Sequence, residues 1–257
     1  MATGRQPATA VFLHGFCENR HMWDGIINEV DGPILCIDLP GFGDEPLPEP
    51  TPSLQSWAVY LNQLFLENHV SNPILLGHSM GGYIALEYAN LFPNSLSGLG
   101  LVHSHCYEDS EEKKSNRRKV IDFVEAHGIE RWLPDMAESL LRSDQKPTAE
   151  LLAQAFSFIE SVQPESVIAG QRAMLEKRDR SAVLRNIRVP VWIASGVYDS
   201  HLSFDRVLEM AIMPEQVQIT KLQESGHLGM VEERELFIKE LNDYLEWVRT
   251  EPKAHPS

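Results

Sequence analysis

Five residues, Gly77-His78-Ser79-Met80-Gly81, constrain the fold of this chain more than any others. They follow the apolar run Pro73-Ile74-Leu75-Leu76 and precede a helix-like stretch that ends near Pro93. A strand that passes into a helix through Gly-x-Ser-x-Gly must turn sharply, and small residues let it do so. The serine is left at the tip of the turn, as in a nucleophile elbow. A bare Gly-x-Ser-x-Gly arises by chance in roughly one chain in ten of this length. The strand before it and the additional Gly82 after it set this instance apart.

The remaining pattern says what surrounds the elbow. Thr9-Ala10-Val11-Phe12-Leu13, Pro33-Ile34-Leu35-Cys36-Ile37 and Leu99-Gly100-Leu101-Val102 are short, wholly apolar runs that read as buried strands. Between them the pattern predicts a helix from Arg20 to Val30 and another from about Ser53 to Asn68. The second carries Leu54, Trp57, Leu61, Leu64 and Phe65 on one face. Prolines 46, 48, 50 and 52 keep the loop from Asp44 to Pro52 extended. Apolar strands alternating with amphipathic helices predict an α/β fold, a mostly parallel, doubly wound sheet covered on both faces.

From Tyr107 to Ser181 strand runs vanish and about four helical patterns follow, the first opened by Asp109-Ser110-Glu111-Glu112. The charge run Glu111 to Lys119 reads as that helix's solvated face. Strand chemistry returns at 189–194 and 216–219, followed by a helix from about Glu232 to Val248 and a frayed tail, Glu251 to Ser257. The expected division is an α/β core, residues 1–104 and 186–257, interrupted by a helical insertion, residues 105–185.

A serine hydroxyl needs a base to become a nucleophile, and a histidine base needs a carboxylate to fix its tautomer. Asp199, in Ser195-Gly196-Val197-Tyr198-Asp199, and His227, in Ser225-Gly226-His227-Leu228, each lie just past a predicted strand. Ser79 does too, so the three would meet on one rim of the sheet. Capping of a helix near His201 is the competing role for Asp199. The substrate oxyanion requires two N–H donors, for which Met80 and Phe16, in Leu13-His14-Gly15-Phe16, are the candidates.

These residues resemble the α/β-hydrolase superfamily, in its serine-nucleophile, esterase-like branch. The resemblance rests on His14-Gly15-Phe16, Asp38-Leu39-Pro40-Gly41-Phe42-Gly43, Gly77 to Gly82, the Gly196 to Asp199 loop and Gly226-His227, all in family order. It implies that the insertion is a lid and that Asp38 supports the Pro40-Gly41 turn. Members commonly begin with an antiparallel hairpin, for which too few residues precede the first strand here, so about six strands are expected. The resemblance implies a serine hydrolase cleaving a small carboxylic ester or related acyl compound through an acyl-enzyme, with no cofactor. Two alternatives share the triad. One is a cofactor-free lyase similar to the menaquinone-pathway synthase, which would grip an acidic substrate with arginines such as Arg117, Arg118 and Arg172. The other is a small-molecule receptor. A serine at position 79 disfavours the aspartate-nucleophile branches.

The histidines near these motifs have lesser roles. His14 is expected to order the oxyanion loop and His78 to point into packing. His103 and His105 form a His-x-His without the further ligands that a zinc site needs, so no metal is expected. All four are candidates for pocket lining. A net charge of −15 argues against nucleic acid or an anionic membrane as partner. No apolar run approaches the ~18 residues of a membrane helix. Three dispersed cysteines and a short polar start, Met1 to Ala8, fit a cytoplasmic protein with reduced thiols. A small-molecule acyl substrate is the one partner expected, and the sequence sets no oligomeric state.

Overall fold

The structure, a computed structural model, describes residues 8–250. The polar start, Met1 to Ala8, and the tail, Glu251 to Ser257, fall largely outside the described residues. Six strands form one sheet: β1 (Ala10–Leu13), β2 (Ile34–Ile37), β3 (Ile74–His78), β4 (Gly98–Val102), β5 (Val191–Gly196) and β6 (Val217–Leu222). Their order is β2-β1-β3-β4-β5-β6, and every neighbouring pair is parallel. The four central strands are buried along their whole length, which is why they read as unbroken apolar runs.

The chain builds outward in opposite directions from β1, so a crevice opens above the carboxyl ends of β1 and β3. Leu13 pairs with Gly77 across these two strands, and the loops that follow them leave the sheet side by side. This register brings the Gly15-Phe16 turn next to the elbow.

The region expected as one helix from Arg20 to Val30 is a 3₁₀ turn, Arg20–Trp23, followed by a single α-turn, α1 (Asp24–Ile27). Gly25 weakens the helix, and Gly32, at a φ of 83°, turns the chain toward β2. Helix α2 (Leu54–Glu67) starts at a capping box of Ser53 and Ser56 and buries Leu54, Trp57, Leu61 and Phe65. Its Trp57 indole N–H donates to the Pro40 carbonyl at 3.0 Å, tying the loop after β2 to the helix. Helix α3 (Met80–Leu91) follows the elbow directly.

Five helices lie between β4 and β5: α4 (Glu111–His127), α5 (Leu133–Ser139), α6 (Ala149–Ser157), α7 (Pro164–Leu175) and α8 (Ser181–Asn186). Ser110 caps α4 by accepting the Lys113 N–H at 3.2 Å. Helix α4 packs on α7 and α5 on α6, whereas α8 touches α3 of the core. Helices α9 (Phe204–Ala211), α10 (Gly229–Glu232) and α11 (Arg234–Thr250) complete the chain. Trp192 of β5 stacks on Tyr244 of α11 at 5.8 Å and meets Phe237 at 5.3 Å. Each large apolar side chain buried this way contributes ~1.5–3 kcal/mol. No described helix is long and apolar enough to cross a membrane.

Candidate active site

Ser79 sits between β3 and α3 with φ 48° and ψ −112°, a conformation that L-residues other than glycine rarely adopt. Its surroundings enforce it. The Ser79 N–H donates to the Val102 carbonyl at 2.9 Å, and its own carbonyl accepts from Ser104 Oγ at 2.7 Å and the Gly82 N–H at 3.0 Å. The flanking glycines are required by contact, not by φ. A Cβ on Gly77 would lie 2.3 Å from the Gly81 backbone, and one on Gly81 would lie 2.6 Å from the His14 carbonyl oxygen. The elbow therefore stores strain of about 1–3 kcal/mol that the packing pays for.

Asp199 follows β5 and His227 lies between β6 and α10, and both are buried. His227 Nδ1 stands 2.7 Å from Asp199 Oδ2. The same oxygen lies 3.1 Å from His103 Nδ1, while Oδ1 accepts the N–H groups of His201 at 2.8 Å and Leu202 at 3.1 Å. Asp199 thus caps the turn at His201 and orients His227 at once. His103 Nε2 accepts the Gly229 N–H at 3.1 Å, so its proton must be on Nδ1, where it donates to Asp199. Burial alone would raise the Asp199 carboxyl, but the polarity of the adjoining His227 and the hydrogen bonds donated by His103 and His227 hold it well below the usual carboxylate range. Burial pulls His227 below its ordinary value, which leaves a neutral imidazole with Nδ1–H on Asp199. Ser79, His227 and Phe16 line one cavity of about 400 Å³.

A second histidine–carboxylate pair lies beneath His227. His78 Nδ1 is 2.7 Å from Glu18 Oε2, and its Nε2 is 2.8 Å from the His227 carbonyl oxygen. Both partners are acceptors, so both ring nitrogens must donate and the ring is an imidazolium. Burial would lower the His78 value and raise that of Glu18. Their mutual attraction and hydrogen bonding outweigh it, so His78 ends raised and Glu18 lowered. Glu18 Oε2 also accepts the Gly15 N–H at 2.6 Å. One carboxylate, directly and through His78, therefore ties the Gly15-Phe16 turn, the residue before Ser79 and the backbone of His227.

Residues 10–240 match the alpha/beta hydrolase family. The chain belongs to that family. Among similar proteins, a thermophilic esterase from Thermogutta terrifontis, solved with malate bound, is 26% identical, with a TM-score of 0.89 over 95% of this chain and 92% of that one. Lipase 1 of Psychrobacter immobilis is 24% identical over 86% of this chain and 72% of its own length. A Bacillus subtilis protein assigned as a 2-succinyl-6-hydroxy-2,4-cyclohexadiene-1-carboxylate synthase is 24% identical over 91% and 89%.

In this α/β hydrolase the four histidines expected as pocket lining are elsewhere. His14 is fully buried, with Nδ1 2.8 Å from the Gly15 carbonyl oxygen and Nε2 accepting the Leu39 N–H at 2.9 Å, so it joins the loops after β1 and β2. His78 and His103 brace His227 and Asp199 from behind. His105 Nε2 is 3.2 Å from the Tyr83 hydroxyl and 3.5 Å from Lys177 Nζ. None of the four lines the cavity. Asp38, expected to support the Pro40-Gly41 turn, accepts from the Arg20 backbone at 2.7 Å and its guanidinium at 2.6 Å, and also holds the Asp44 N–H at 3.2 Å.

The hydrolase's cavity wall corrects a second expectation. Lys113, Asn116, Arg117 and Val120 form one stripe of α4 and face the cavity, so the charge run is not a solvated face throughout. Arg118 is exposed, and Arg172 pairs with Glu125 at the surface. Glu18, Lys113 and His201 are the site residues that sequence reasoning missed. The spacing of 113, 116, 117 and 120 was the available signal. Ligand atoms of His103, Asp199 and His227 lie within 4.8 Å of one another, but both imidazole N–H groups are spent on Asp199. Another cavity, about 320 Å³, lies between α3 and α8, and no nucleophile lines it.

Proposed function

We propose that this α/β hydrolase is a serine esterase acting on small carboxylic esters through an acyl-enzyme. The observation that carries the reading is the 2.7 Å contact of His227 with Asp199 at a cavity shared with the strained Ser79. Ser79 Oγ attacks the ester carbonyl as His227 Nε2 takes its proton. The imidazolium is held by Asp199 and then gives that proton to the leaving alcohol. The Phe16 and Met80 N–H groups hold the oxyanion, a role open to them because no acceptor among the described residues takes either. Water, activated by His227, releases the acid. Helices α4, α5 and α7 supply much of the cavity wall and act as the lid.

The test is hydrolysis of p-nitrophenyl acetate through octanoate by wild type and Ser79→Ala. Turnover lost in Ser79→Ala supports the esterase. Equal turnover in both sinks the nucleophile assignment, and no turnover by folded wild type shifts the reading to the synthase-like lyase or a receptor.

A further inference from the structure

Two cationic side chains, Lys113 and Arg117, line one wall of the cavity, and they are unequally partnered. Arg117, 9% exposed, donates from Nε to Asp109 Oδ2 at 2.5 Å and from Nη1 to Gln171 Oε1 at 3.0 Å. The other oxygen of Asp109 is 2.8 Å from Lys177 Nζ, so two buried cations share one carboxylate. Lys113, one turn before Arg117 on the cavity-facing stripe of α4, has no carboxylate partner among the described residues. Its Nζ reaches the His201 carbonyl oxygen at 3.4 Å. Of the neighbouring buried acids, Glu18 is paired with the His78 imidazolium, and Asp199 accepts hydrogen bonds from His227 and His103 but makes no ion pair with Lys113. Asp135, the remaining carboxylate of the wall, is exposed.

Burial, and then the neighbouring Arg117 charge, lower Lys113 against the pull of Asp109 and Asp199. Burial brings Lys177 down to about 7, with Lys113 and Arg117 adding to the effect against the pull of Asp109. Keeping such groups charged and dry is costly unless a counter-charge arrives. Trp132, Met136, Met174 and Val120 make much of the remaining wall apolar, which leaves room for a short hydrocarbon between the cations and Ser79.

We propose that Lys113 and Arg117 form a carboxylate-binding subsite, so that the preferred substrate is a small ester bearing a free carboxylate near the scissile bond. The carboxylate belongs to the acyl part in a half-ester of a dicarboxylic acid, or to the alcohol part in an acylated hydroxy acid. The inference rests on the esterase reading for the reaction and on the cavity wall alone for the ligand.

The experiment compares kcat/KM for monoethyl glutarate, O-acetylglycolate and neutral ethyl butyrate in wild type, Lys113→Met, Lys113→Glu and Arg118→Gln. Wild type should prefer one charged ester over ethyl butyrate, and which one it prefers assigns the carboxylate to the acyl or alcohol side. That preference should fall about tenfold or more in Lys113→Met, mainly through KM, and reverse in Lys113→Glu. Arg118→Gln, which removes a charge from the same helix away from the cavity, should keep it. A wild-type preference for the neutral ester, or a preference unchanged in Lys113→Met, overturns the subsite. Calorimetric binding of monoethyl glutarate and O-acetylglycolate to Ser79→Ala, with and without Lys113→Met, separates the two readings. Lys113-dependent binding of either without wild-type turnover removes the esterase and keeps the subsite. Turnover without Lys113 dependence does the opposite.

Discussion

Replacing Glu18 by Gln tests whether the protein keeps a buried imidazolium beneath His227, the proposed base. The side chains of His78 and Glu18 are 0% and 1% exposed, so solvent screens their interaction little. His78 is raised above its ordinary 6.5, so its contribution to stability is full below pH 6.5 and is lost as pH rises through its folded value. Glu18 is lowered below 4.5, so its contribution is full above pH 4.5 and is lost as pH falls through its folded value. The pair therefore stabilises most between pH 4.5 and 6.5. Removing one partner of a buried ion pair costs about 3–5 kcal/mol. In Glu18→Gln, His78 can release its proton, at ~1.4 kcal/mol per unit of pKa displaced, which puts the loss near the lower end. Urea denaturation at pH 6 should then show a loss of about 3 kcal/mol, shrinking as the pH is raised above 6.5 and the stabilisation held by the His78 proton declines. Imidazole ¹⁵N shifts of wild-type His78 should report both nitrogens protonated at pH 6. An equal loss at pH 6 and 9, or a neutral His78 spectrum at pH 6, would refute the assignment of charge.

Three further outcomes follow from the geometry. Ser79→Gly should abolish ester turnover yet raise stability by about 1 kcal/mol in calorimetry. That figure is the ~1–3 kcal/mol of relieved strain less the ~0.5–1 kcal/mol entropic cost of glycine; a destabilised variant would mean that the elbow is unstrained. Gly77→Ala should lose at least about 3 kcal/mol in chemical denaturation, because its Cβ meets backbone that cannot move aside. The kcat/KM profile for a neutral ester should hold flat from pH 8 to below 6.5. Burial lowers His227, and only its protonated form lacks the base; an acid limb centred above 6.5 would count against a neutral resting imidazole.

The sheet was legible because its central strands are short, wholly buried apolar runs, and the expected six strands are present. The elbow was legible because Gly77 and Gly81 are forced by backbone contact, which only glycine satisfies. Short or mixed signals misled. Arg20 to Val30 has helical spacing, yet Gly25 and the Asp31-Gly32-Pro33 turn stop it after single turns. The α4 charge run was read as solvated because charge usually is. Three-dimensional pairing with Asp109, contributed from outside the helix, is what allows Arg117 to be buried. Glu18 carries no local signature, since its partner His78 is 60 residues away and meets it only through the β1–β3 register. His103 was placed in the pocket because it follows a strand end, but its φ of 49° accompanies a ring that lies against Asp199.

The cluster of His78, His103, His201 and His227 shows how one base is selected among four chemically identical rings. His78 and His103 lie 4.9 and 5.5 Å from His227, and His201 lies 4.6 Å away. At such spacing a second cation would be strongly disfavoured, so partners decide which ring carries charge. His78 faces two acceptors and takes two protons. His103 Nε2 faces the Gly229 N–H, while its Nδ1 lies nearer Asp199, at 3.1 Å, than the Gly196 nitrogen, at 3.4 Å, so the ring takes one proton, on Nδ1. His201 Nε2 lies 3.0 Å from the Ser139 carbonyl oxygen and must donate there, and burial keeps the ring neutral. His227 donates through Nδ1 to Asp199. In the proposed reaction its Nε2 lone pair would serve Ser79, and the fixed charge on His78 discourages protonation of His227 at rest. Once His227 had taken the serine proton in that reaction, Asp199 would stabilise it, and the three other hydrogen bonds to Asp199 would make that carboxylate too weak a base to remove the proton. The surrounding histidines would thus hold the proton on the ring that, under the proposal, gives it to the leaving group.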